Sequence, residues 1–106
     1  MKTKIVNLTP HEITICGLVI PPSGIIARLS EETKIMRTII VNEVEIPIIA
    51  KFYGKIVDLP EPEVDTVFVV SLLVAQQAQR GDVFAIGESI RNGKGQIVGA
   101  KSLLVL

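Results

Sequence analysis

Isoleucine and valine occupy 29 of the 106 positions, 16 and 13 respectively. Branching at Cβ stiffens χ1 and suits a side chain to a pleated surface, so the chain is biased towards strands over helices. Three Phe, one Tyr and no Trp make any core aliphatic rather than aromatic. Apolar residues reach 48% and the mean hydropathy is +0.50, which excludes a disordered chain. The length fits a single domain spanning 1–106. Lys plus Arg equals Asp plus Glu at 11 each, for a net charge of zero. Neither a nucleic-acid polymer nor an anionic membrane surface finds the basic excess it needs here.

Turn punctuation every 8–12 residues suits a small β sandwich or barrel. Lys4 to Leu8 reads as a first strand stopped by Thr9-Pro10. Glu12 to Cys16 alternates apolar and polar, and Gly17 turns it into Leu18-Val19-Ile20. Pro21-Pro22-Ser23-Gly24 is a rigid turn before a strand from Ile25 to Leu29. Ser30-Glu31-Glu32-Thr33 begins like a helix N-cap with acids in its first turn. The β-branched residues that follow limit any helix there to one turn. Val41-Asn42-Glu43-Val44 reads as a hairpin tip, and Pro47 marks its second arm as an edge or bulged strand.

The C-terminal third is the clearest. Thr66 to Val70 is an unbroken apolar run, expected to be a strand buried on both faces. Ser71 caps a helix over about 71–80, and Gly81 suits the left-handed position beyond its end. Asp82 to Ile86 returns as a strand. Asn92-Gly93-Lys94-Gly95 is the strongest hairpin turn in the chain, and Ile97 to Leu106 is a closing strand. The expected fold is α+β: a mainly antiparallel β sandwich or open barrel carrying one helix.

Cys16 cannot form an internal disulfide, and its apolar neighbours predict a small buried hydrophobe. The opening residues lack the apolar core of a signal peptide, and no charge-free run reaches membrane-spanning length. An intracellular, reducing setting follows, the cytoplasm of a cell.

Candidate chemistry is sparse. One His and one Cys, without paired ligand spacing, exclude a closed zinc shell, and no cofactor motif is present. Asp58, Glu61, Glu63 and Asp65 lack the glycine-bent loop of a calcium site and read as a solvated run. Gly93-Lys94-Gly95 lacks the frame of a phosphate loop, and Ser23 lacks a nucleophile elbow. His11 is the single imidazole, set in a turn with Asn7 and Thr9. That polar cluster suits a ligand hydroxyl or carbonyl, or merely satisfies the turn backbone. Arg80 and Arg91 stand at element ends, where guanidinium forks match phosphate or carboxylate, or pair locally with Asp82 and Glu88. A ligand site would therefore draw on Asn7, Thr9, His11, Arg80 and Arg91.

Three stretches carry a resemblance. They are Asn7-Leu8-Thr9-Pro10-His11, Ile20-Pro21-Pro22-Ser23-Gly24, and the block from Val70-Ser71 through Arg80-Gly81-Asp82-Val83 to Ile90-Arg91-Asn92 and Gly95. Together they resemble a family of small uncharacterised proteins encoded by phages, prophages and archaeal viruses. The resemblance implies a viral accessory context inside a host cell and transfers no functional residue.

The chain thus reads as a binding module rather than an enzyme. The expected role is an accessory protein that captures an anionic, nucleotide-like host molecule between subunits. The alternatives are a small protein that docks on a host or virion protein, a minimal hydrolase using His11 with an acid such as Asp82, or a purely structural virion component. An apolar fraction of 48% exceeds what a chain this small can bury alone, which predicts a homo-oligomer, a dimer or a multiple of it. The edge near Pro47 and the Ile97–Leu106 strand are the expected interfaces.

Overall fold

The Ile/Val bias is realised as strands in the computed structural model, which describes residues 2–106. About 52% of the chain is strand, against one seven-residue helix among the described residues. β1 (Lys4–Asn7), β6 (Thr66–Val69), β7 (Val83–Ile86) and β10 (Leu103–Leu104) form one four-stranded sheet in the order β1-β6-β7-β10. β1, β6 and β7 run parallel, and β10 runs antiparallel to β7. A second sheet has the order β3-β2-β9-β8, from β2 (Ile13–Ile15), β3 (Leu18–Ile20), β8 (Ser89–Arg91) and β9 (Ile97–Ala100). Here β2 and β9 are parallel and the other pairs antiparallel.

The α+β class therefore stands, but both sheets are mixed and no barrel closes. The reason lies in the connections. Helix α1 (Leu72–Ala78) carries the chain from β6 back to its parallel neighbour β7, as a crossover must. β6 lies between two parallel partners, which explains its continuous apolar run: Phe68, Val69 and the following Val70 are all buried.

Two apolar clusters hold the body together. Phe68, Val70, Val83 and Ala85 pack with Leu8, Ala27, Val74 and Ala75 between the first sheet and α1. Ile15, Ile20 and Ala100 pack against Ile5, Ile86 and Leu103, joining the two sheets. The chain stitches the sheets by crossing between them. The stretch from Ile97 to Leu106 is accordingly two short strands, broken at Lys101-Ser102 where it leaves the second sheet for the first. At that crossing Gly87 donates its N–H to the Ser102 carbonyl, so close that any Cβ on Gly87 would strike Ser102.

The largest departure from a two-sheet body is an arm. β4 (Arg28–Val41) and β5 (Val44–Val57) pair only with each other, 14 residues each, around a tight turn at Asn42-Glu43. Both turn residues have positive φ, 49° and 66°, which matches the twist of paired strands. The expected helical turn at Ser30–Thr33 is instead continuous strand, with Glu31 opposite Tyr53 and Glu32 opposite Phe52. β-Branched residues on both arms outweigh the local capping pattern. The expected strand at Ile25 begins three residues later, at Arg28.

Two smaller corrections concern turns. Cys16 is exposed rather than buried, because Cys16-Gly17 forms the two-residue turn between β2 and β3 with φ of 51° and 80°. Its Sγ lies 3.4 Å from the Lys101 carbonyl. Helix α1 ends at Ala78 rather than near 80, and Gln79 (φ 49°), not Gly81, takes the left-handed position.

Candidate functional site

The first expected ligand cluster is a closed hydrogen-bonded knot. Asn7 is the last residue of β1 and is 1% exposed. Its Nδ2 donates to the carbonyls of His11 (2.7 Å) and Ile20 (3.2 Å). Its Oδ1 accepts from the Thr9 N–H at 2.9 Å and lies 2.6 Å from Thr9 Oγ1. All donors and both lone-pair sites of the amide are thus engaged. Asn7 ties the turn to the end of β3 and has nothing left to offer a ligand. His11 is exposed, and the knot uses its backbone carbonyl rather than its imidazole.

Arg80 is equally committed. Its Nε and Nη2 donate to the two Asp82 carboxylate oxygens at 3.0 and 2.7 Å, and Nη1 donates to the Pro60 carbonyl at 2.9 Å. The guanidinium also lies 5.9 Å from the centre of the Phe68 ring. This fork pins the loop before β6 to the loop before β7. The hydrogen bonds from Arg80 hold the Asp82 carboxyl below the usual carboxylate range, and the same bonds raise Arg80. Arg91 does not pair with Glu88, which instead meets Lys101 at 3.3 Å. Arg91 Nη1 donates to the Gly95 carbonyl at 2.7 Å and braces the Asn92–Gly95 turn.

Sheet register decides which of these residues can meet. Asn7 lies opposite Val69 at the C-terminal end of the parallel strands, whereas Arg80 and Asp82 precede β7 at the N-terminal end. The Asn7–His11 turn and the Arg80 fork therefore sit at opposite ends of one sheet. His11 is separated from Asp82 by the same distance along the strands, and Asp82 is occupied by Arg80. Arg91 belongs to the outer strand of the second sheet, with β9 between it and β2. The structure joins Asn7, Thr9 and the His11 backbone, and keeps Arg80 and Arg91 apart from them and from each other.

The acidic run is dispersed as well. Asp58, Glu61, Glu63 and Asp65 are all exposed, and no group of His, Cys, Asp or Glu among the described residues is placed to hold a metal. Asp58 pairs with Arg28 at 2.9 Å.

Two adjoining grooves lie elsewhere, at the root of the arm. A groove of about 500 Å³ is lined by Ile25, Ile26, Arg28, Asp58, Leu59 and Pro60. A second, of about 260 Å³, lies between the arm, the start of α1 and the turn after β1, with Thr9, Leu29, Tyr53 and Leu73 in its wall. Ile26 and Arg28 line both. Arg28 carries the one guanidinium of these walls, and the sequence offers little to single it out. It stands mid-chain between apolar residues, and only the arm's departure at this point makes the groove. No helix among the described residues is long and apolar enough to cross a membrane. Compared with known protein families, curated proteins and solved structures, the chain matches none.

Proposed function

We propose that this protein is a binding module that works as a homo-oligomer, with the β4–β5 arm as the element that joins its copies. The carrying observation is the surface the single chain leaves open. Its accessible area is 7659 Å², whereas a compact monomer of 11.5 kDa exposes roughly 5,800 Å². The excess of roughly 1,900 Å² is more than twice what one partner contributes to a standard interface, about 800 Å². Its radius of gyration, 17.6 Å, likewise exceeds the roughly 13 Å of a compact domain this long. Much of the excess is apolar: Ile35, Met36, Ile40 and Val44 are each more than half exposed. A two-stranded ribbon is at best marginally stable alone in water, so this one needs a partner face.

Light scattering across micromolar concentrations checks this. A mass of twice 11.5 kDa, or a multiple, is expected. A constant monomer mass would overturn the reading.

The accessory role of capturing an anionic, nucleotide-like molecule rests on a separate observation, the Arg28 guanidinium in the groove beside the arm. That guanidinium donates from Nη1 to Asp58 and makes no other hydrogen bond among the described residues. Apolar walls suit a base or ring, and the fork suits phosphate or carboxylate. The neighbouring arm of a second copy would complete the wall. Mass spectrometry of small molecules released by heating the purified protein tests it. A nucleotide-sized anion recovered from the wild type and lost in Arg28→Ala supports capture; an equal yield from both places the ligand elsewhere. The hydrolase alternative has less support, because its base and acid stand at opposite ends of a sheet.

A further inference from the structure

Each face of the arm carries three charged side chains between Glu31 and Tyr53, and their placement guides both the docking face and its register. Side chains alternate without interruption along β5 from Val44 to Tyr53, since the nearby bulge falls on β4 at Met36. One face carries Glu32, Lys34 and Arg37. The other carries Ile35, Ile40, Pro47, Ile49 and Tyr53, with Glu45 towards the tip and Glu31 and Lys51 towards the root. Ile40 (71%) and Ile35 (68%) are the two most exposed large aliphatics of the arm, and both lie on this second face. Glu45 has no ionic partner within 4.0 Å among the described residues, and Lys51 reaches only Glu31, at 3.8 Å.

We propose that a second copy of this chain packs its arm antiparallel on this face, about a two-fold axis crossing β5 at Ile48, so that Glu45 pairs with the partner's Lys51. The proposal rests on the homo-oligomer reading above and specifies its interface. The geometry follows from symmetry. A two-fold axis in the contact plane, perpendicular to the arm, lays β5 on β5 and reverses its direction. Levels equidistant from Ile48 then face each other. Pro47 meets the partner's Ile49, and Glu45 meets the partner's Lys51, each twice. Packed sheets lie about 10 Å apart, a gap a glutamate and a lysine span together.

About an axis at the Ile48 level, the other arrangements leave Glu45 or the opposite face's basic groups without an opposite charge across the seam. A two-fold axis along the arm lays β4 on β5 at equal levels, setting Glu45 against the partner's Ile40 and Lys51 against the partner's Thr33. An uncompensated charge in an apolar seam is costly. Docking through the opposite face about that same level brings Arg37 against the partner's Arg37 near the axis and sets Lys34 opposite the partner's Ile39 and Ile46. Of these, only the antiparallel packing on the Ile35–Ile49 face covers the most exposed aliphatics and gives Glu45 an opposite charge across the seam.

Charge exchange with sedimentation equilibrium tests the register. Glu45→Lys and Lys51→Glu should each weaken self-association about tenfold or more, and the double variant should return close to wild type. A second measurement does not depend on the stability of charge variants. In a Cys16→Ser background, Glu45→Cys/Lys51→Cys should be joined into a covalent dimer by a short bifunctional thiol cross-linker whose reach matches the roughly 10 Å between packed sheets. The two positions lie roughly 20 Å apart along one strand, too far for such a linker to join within a chain. A wild-type oligomer whose double charge variant stays weakened, and whose cysteine pair does not cross-link, overturns the register while leaving the homo-oligomer standing. A monomeric wild type removes both.

Discussion

Asn7 shows how far a residue type can mislead about its role. A polar side chain beside Thr9 and His11 reads equally well as a ligand contact or as a turn brace, because both uses need the same amide. Burial separates them, and burial comes from the strand pairing of β1 with β6. With its amide committed to two carbonyls and to Thr9, Asn7→Ala should strand several buried groups. The expected loss is about 3 kcal/mol or more in urea unfolding. Asn7→Asp should not rescue it, since a carboxylate cannot donate to the His11 and Ile20 carbonyls. An Asn7→Ala variant of wild-type stability would contradict the knot.

At Arg80 the local ion pair was legible from spacing, whereas the Pro60 carbonyl that completes the fork lies 20 residues away. Asp82 is held below its ordinary range by the Arg80 hydrogen bonds. Its contribution to stability is therefore present above the ordinary carboxylate range and lost as pH falls through the lowered value. The wild type should lose more stability on acidification than Asp82→Asn does, measured as the urea midpoint at neutral and acid pH. Equal acid limbs would mean that the pair contributes nothing. Arg80→Ala should cost about 1–2 kcal/mol, from the pair and from the packing on Phe68.

Elements were easier to read than their partners. The turns at Asn42-Glu43 and Asn92–Gly95, the Ser71 cap and the buried β6 run all follow from local chemistry, and the structure contains each. The length of the arm was less legible, since Ser30-Glu31-Glu32-Thr33 imitates a helix start that long-range pairing overrides. Cys16 was misread because an apolar neighbourhood does not distinguish a strand from the turn at its end. Ser71 Oγ accepts from the Val74 N–H at 3.4 Å, so Ser71→Ala should lower stability by about 1 kcal/mol in thermal unfolding. The acidic loop should tolerate change. Asp58 and Asp65 have φ of 63° and 53°, a conformation Asn also accepts. Asn at those two positions with Ser at Glu61 and Glu63 should change the unfolding free energy from urea titration by no more than about 0.5 kcal/mol per site. A larger loss would assign the loop a partner.

At the scale of the whole molecule, the α+β class was legible, but the mixed sheets were not. Strand direction depends on which sheet each crossing enters, and the Lys101-Ser102 break is a property of two sheets at once. The apolar surplus was legible in the composition, and the structure locates much of it on the arm. The arm's exchange behaviour tests that most directly. A lone two-stranded ribbon opens readily, whereas one buried between copies shares the protection of the body. Hydrogen–deuterium exchange read by mass spectrometry on peptides covering residues 35–49, at high and low protein concentration, separates these cases. The expected result is arm amides protected like those of β6 at high concentration and released on dilution. Arm amides that exchange freely at every concentration, while the body stays protected, would contradict a shared interface.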